Sequence, residues 1–157
     1  FSLGRCDELT FEKINFLVEC GANPSEIANK LLRRDSLAKY RIIPKVLDSL
    51  ELFKEGEIAS IFAKEEWFKQ TGAHNRDCED ALDMIMSIAI VKIAFFVGVV
   101  NGTSRVSLRS KGKIDVSKIA GEFGGGGHFN AAGCTLDMVD VEKAKDIVLK
   151  EIFEVYK

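Results

Sequence analysis

An α/β domain built on a mixed sheet, with helices on its faces and a helical segment ahead of it, is the fold the sequence predicts. Three observations predict it. Apolar residues recur at helical spacing through the first fifty residues. From Glu57 onward, short β-compatible runs alternate with helical ones. Between two such runs stands Asn101-Gly102, a strong short-range signal for a β-hairpin.

In chain order, Phe11, Ile14, Leu17 and Val18 repeat at helical spacing after a candidate cap at Thr10, with Gly21 placed to terminate the helix. Asn23-Pro24-Ser25-Glu26 reads as an N-cap, a first-turn proline and a glutamate at the third helical position. A third helix follows Ser36, with Leu37, Tyr40, Ile43, Leu47 and Leu50 inward and Pro44 expected to kink or split it. Ile58 to Ala63 is a short strand, Glu65 to Gln70 a turn or two of helix before Thr71-Gly72, and Asp80 to Ile88 a helix. Val91 to Val100 and Thr103 to Ser110 form the hairpin. Asp115 caps a short helix through Val116, Ile119 and Ala120, Gly133 to Val139 returns to strand, and Asp140 caps a last helix.

The 157 residues, 46% hydrophobic and 29% charged, suffice for one domain with a real core. The longest apolar run, Ile85 to Val100, is interrupted by Lys92 and is too short for a membrane span, so a cytoplasmic setting is expected. The chain begins at Phe1 and not at a methionine, and a longer parent protein is expected. Cys6, Cys20, Cys78 and Cys134 form no C-x-x-C pair and read as reduced, structural thiols. Net charge is -2, which argues against strong non-specific duplex binding. From Asn101 to Lys118, however, five basic residues face one acidic residue, a favourable region for a small anion.

Two constellations carry chemistry. Gly124 to Gly127 are four consecutive glycines followed by His128, one of two histidines. Without Cβ atoms their amides can converge on an anion as a nest, and His128 at its lip can donate to phosphate or stack on a base; a flexible connector is the plain alternative. In Ser104 to Ser110, a strand puts Arg105, Ser107 and Arg109 on one face and Val106 and Leu108 toward the core. That face suits forked recognition of phosphate, or is a solvated surface with scattered cations. No clustered Asp and His suggest a metal site, and Asp77, Glu79, Asp80 and Asp83 fit the start of a helix, where carboxylates meet the macrodipole.

G-G-G-G-H-x-x-A-A-G at Gly124 to Gly133, with S-L-R-S at Ser107 to Ser110, resembles the C-terminal DHH-associated domain of the DHH phosphoesterase family. Within it the chain is similar to the NrnA type, which degrades very short oligoribonucleotides and in many cases dephosphorylates pAp. C-G-A-N-P-S-E-I-A, D-C-E-D and K-I-D-V-S-K-I-A extend the likeness over nearly the whole chain, although the family often has glycine at the position of Asp80.

The resemblance implies a helical linker at 1–55 following an N-terminal DHH catalytic domain, and a substrate-binding domain at 56–157. It implies that Ser107, Arg109 and Ser110 hold phosphate or sugar, that Gly125, Gly126, Gly127 and His128 contact the nucleotide, and that Arg105 and Lys111 assist. Ala131, Ala132 and Gly133 would allow close packing. No cofactor or catalytic residue is expected in this chain; two divalent ions, usually manganese, belong to the DHH domain, since no D-H-H or D-x-D occurs here. Expected partners are short oligonucleotides or phosphorylated nucleotides and the DHH domain in cis, with a homodimer possible and no membrane. Alternatives are part of a RecJ-type single-strand DNA exonuclease, an RNA-binding module like the C-terminal domain of alanyl-tRNA synthetases, and a purely regulatory module.

Overall fold

The computed structural model describes residues 7–32 and 34–156, and the chain forms two compact units, one through Ser36 and one from Leu37. The first contains α1 (Glu8–Glu19) and α2 (Pro24–Leu32). Asp7, not Thr10, caps α1: its carboxylate accepts from the Thr10 amide at 2.8 Å and from the Thr10 hydroxyl at 2.6 Å. An aspartate before the first turn satisfies the otherwise orphaned third amide, and those bonds hold the Asp7 carboxyl below its usual pKa. Asn23 caps α2 as the sequence predicts, accepting from the Ser25 and Glu26 amides. Neither helix has a buried residue.

The second unit is organised by a six-stranded sheet in the order β1-β2-β3-β4-β6-β5, where β1 is Glu51–Phe53, β2 Ile58–Ala63, β3 Ile93–Val100, β4 Thr103–Ser110, β5 Gly126–His128 and β6 Ala131–Leu136. Only β2 and β3 are parallel, joined through α4 (Glu65–Thr71) and α5 (Glu79–Met86) as a crossover requires. The mixed sheet is the expected one. The hairpin turn falls on Asn101 and Gly102, both with positive φ.

Alternation along the strands gives the sheet two faces. Ile93, Phe95, Val97, Val106, Leu108, Ala132, Cys134 and Leu136 line one, packed beneath α6 (Val116–Glu122) and α7 (Val141–Val155). Asp115 and Asp140 cap those helices by accepting from the Ser117 and Lys143 amides, as predicted. Ala59, Ile61, Ala63, Ala94 and Phe96 line the other face, beneath α3 (Leu37–Asp48), α4 and α5.

Helix α3 departs from expectation in two ways. It runs unbroken through Pro44 to Asp48. Its buried positions are Ile42 and Val46, with Ala38, Ile43, Leu47 and Leu50 partly buried beside them, whereas Leu37 and Tyr40 are exposed. That stripe completes the core under β2, so α3 packs in the compact unit that starts at Leu37. Buried Cys78 and Cys134 are free thiols, with burial pushing them up to about 12 and about 11; exposed Cys20 is also free, and Cys6 lies outside the described residues.

Candidate functional site

Helices α3 to α5 pack over β2 and β3, where the second core lies. Beyond β3 the same face carries the predicted constellation. In β4, Arg105 is exposed and Ser107 and Arg109 half-buried, while Ser104, Val106, Leu108 and Ser110 are buried on the opposite face. Residues paired across antiparallel strands share a face, so the register extends the group in rows. Ala94, Arg109, Ala131 and His128 form one row, and Phe96, Ser107, Gly133 and Gly126 the next. Gly98, Arg105 and Thr135 form a third. Cations and hydroxyls therefore stand over a floor of glycine and alanine. His128, two strands from Arg109, lies about 10 Å from it along the sheet.

An open cleft of about 410 Å³ occupies this face, lined by Arg105, Ser107, Gly124, Gly125, Gly133 and Thr135, with Asn75 and Glu79 at one side. Arg109 does not line this cleft and stands beside α5. Its guanidinium lies 4.0 Å from Glu79 Oε2 and 3.9 Å from Asp83 Oδ1, and donates to the Leu108 carbonyl at 3.1 Å.

The glycine run corrects one expectation. The Gly124 amide donates to the Gly121 carbonyl and the Gly125 amide to the Ala120 carbonyl, each at 2.9 Å, so these two do not converge on a ligand as a nest. Glycine is needed instead for close approach. A Cβ on Gly125 would lie 2.3 Å from the Gly133 carbonyl oxygen, and one on Gly127 2.6 Å from the Ala131 carbonyl oxygen. The run is thus an ordered edge, β5 folded onto β6, that presents His128.

Two expected site residues lie elsewhere. Ser110 is buried on the opposite face, where its hydroxyl donates to the Ile114 carbonyl at 2.6 Å and accepts from Asn130 Nδ2 at 2.9 Å. Lys111 donates to the Ile88 carbonyl at 2.7 Å. Ser110 instead anchors the turn that carries His128: the Asn130 carbonyl accepts the Ser110 amide and the Phe129 carbonyl accepts the Val116 amide. Asn130, inside the glycine motif, went unremarked in the sequence, as did Asn75; a helical or strand period does not mark either.

Among the described residues, no three His, Cys, Asp or Glu side chains are grouped to hold a metal ion. Among those residues, no helix is long and apolar enough to cross a membrane.

A half-open mixed sheet edged by a glycine-rich hairpin defines a class, and residues 55–157 match the DHHA1 domain; the chain belongs to that family. Among its relatives, the bifunctional oligoribonuclease and PAP phosphatase NrnA of Thermus thermophilus is 28% identical over 138 residues, 88% of this chain and 41% of NrnA. The cyclic-di-AMP phosphodiesterase PdeA of Listeria monocytogenes is 25% identical over 154 residues, 98% of this chain and 22% of PdeA. The crystal structure of an exopolyphosphatase-related protein from Bacteroides fragilis is similar with a TM-score of 0.86 at 25% identity, covering 94% of this chain and 44% of that one. The chain spans less than half the length of each.

Proposed function

We propose that this chain is the substrate-binding part of a metal-dependent DHH phosphoesterase, an oligoribonuclease and pAp phosphatase working in the cytoplasm. A DHH domain of the same protein supplies the divalent ions, manganese by family resemblance. One observation carries the reading: the register sets Arg105, Ser107, Arg109 and His128 on the uncovered half of one sheet face. The names of NrnA and PdeA support a nucleotide ligand.

The geometry suits a positioning role. Guanidinium groups neutralise and orient phosphate oxygens through charge-assisted bonds, Ser107 adds a hydroxyl, and the glycine and alanine floor lets the ligand approach the backbone. Holding the phosphoester fixed against a catalytic centre lowers the entropic part of the barrier. His128 closes the far side as a donor or a surface for a base.

Calorimetric titration of the 157-residue chain with pAp tests this. A hydrogen bond to a charged group contributes about 1.5–3 kcal/mol, so Arg109→Ala and His128→Ala should each weaken binding about tenfold or more without unfolding the domain. If both variants bind pAp as tightly as the parent chain, the assigned face is wrong.

A further inference from the structure

Arg109 already has two carboxylates within 4.0 Å, whereas Arg105 and Arg76 form no ion pair among the described residues. These two arginines line one cleft of about 410 Å³ together with His74, Asn75 and Val100, and no carboxylate lines it. That cleft adjoins the glycine-edged one, because Arg105 and Asn75 line both. The free cationic capacity of the face thus extends away from Arg109, past Arg105, onto the single helical turn at Asn75–Cys78.

Local structure explains why this turn can receive an anion although it contains Asp77. The Asp77 carboxylate is turned back to accept the His74 amide at 2.7 Å, and the Asp77 amide donates to the His74 backbone carbonyl at 2.9 Å. Asn75 lies flat on the sheet at Gly98, where any Cβ would stand 2.0 Å from Asn75 Oδ1. That oxygen is buried and has no hydrogen-bond partner. An unsatisfied buried acceptor calls for a physical reason, and Asn75 itself lines both clefts. Rotation of the carboxamide away from Gly98 would be needed to bring that oxygen to a ligand hydroxyl, such as that of a sugar between two phosphates.

We infer that Arg76, His74 and Arg105 form a second phosphate subsite, so that the chain holds two successive phosphates of a short single-stranded oligonucleotide. Arg105 is shared between the subsites, and Asn75 contacts the intervening sugar. This rests on the phosphate-binding reading above and adds to it a minimum length: the preferred ligand carries at least two phosphates.

The test compares AMP with the 5′-phosphorylated dinucleotide pApA on the 157-residue chain, by calorimetry at several salt concentrations. The parent chain should bind pApA about tenfold more tightly than AMP, the effect of one additional charged contact. Arg76→Ala should remove that advantage and leave AMP within about twofold. It should also lower the salt slope for pApA by about 0.7, the value for one single-strand phosphate contact. Arg76→Lys should retain most of the preference, and Arg105→Ala should weaken both ligands. Arg76 is exposed, and an unchanged melting curve confirms that its variants remain folded. Equal affinity of the parent chain for AMP and pApA would overturn the second subsite, as would an undiminished preference in Arg76→Ala. If the parent chain binds neither, the phosphate-binding reading falls with it; if AMP binds and only the preference is missing, the second subsite alone is lost.

Discussion

One face of the sheet is divided in two, and the halves differ more from each other than from the rest of the molecule. Over β2 and β3, Ala59, Ile61, Ala94 and Phe96 are buried beneath three helices. One strand further, the same rows continue through Arg109, which α5 reaches through Glu79 and Asp83, and Ser107 into partly exposed Ala131 and Gly133. The change from burial to binding takes place across a single strand spacing of about 4.8 Å. The reverse face shows no such division, being buried and mainly apolar from β2 to β6 under α6 and α7, with Ser104 and Ser110 hydrogen-bonded among the apolar groups. Strand order therefore does not set the boundary; side-chain volume and charge do. Large apolar groups demand a cover, while cations over glycine and alanine leave room for something else.

The sharpest way to break this comparison is a pair of truncations across the boundary. Phe96 is 1% exposed, and Phe96→Ala should destabilise the domain by about 3–5 kcal/mol in urea denaturation. Its row neighbour Ser107 has no packing role of that kind, and Ser107→Ala should stay within about 0.5 kcal/mol. Comparable losses would mean the halves are not physically distinct.

Within the open half, adjacent glycines should separate next. Gly125→Ala forces a Cβ against the Gly133 carbonyl and Cys134, and overpacking of this kind costs about 1–3 kcal/mol. Gly126→Ala meets nothing within 4 Å and should lie within about 0.5 kcal/mol. Thermal melts showing equal effects would remove close approach as the reason for the run.

Local signals were legible in the sequence. The alternation of Ser104 to Ser110 placed Arg105, Ser107 and Arg109 together, Asn101-Gly102 marked the hairpin, and Asp115 and Asp140 were identified as caps. Each is decided within a few residues by backbone geometry. What was not legible depends on what folds above or beside a residue. Helical period alone did not show which side of α3 meets β2, so Tyr40 was placed inward and Ile42 was not. The glycine amides could be counted, but not the carbonyls of Ala120 and Gly121 that receive two of them. Ser110 stood in the right motif on the wrong face for a ligand, and the partner that explains it, Asn130, is 20 residues away.

The acids of α5 furnish the finest division of the boundary. Glu79 and Asp83 read in sequence as partners of a helix dipole, yet the fold also sets them at 4.0 and 3.9 Å from Arg109, on the line where the covered half ends. At those distances, with both carboxylates largely exposed, each pair contributes at most about 1 kcal/mol, so they compete with an incoming phosphate without shutting it out. Glu79→Gln with Asp83→Asn should tighten pAp binding a few-fold, and by no more than the roughly thirtyfold that two pairs at about 1 kcal/mol each would give. The gain should shrink as salt screens the exposed acids. If the double variant binds pAp more weakly, the carboxylates hold Arg109 in its working position and do not compete with the ligand. In that case the boundary between the halves is itself part of the binding surface.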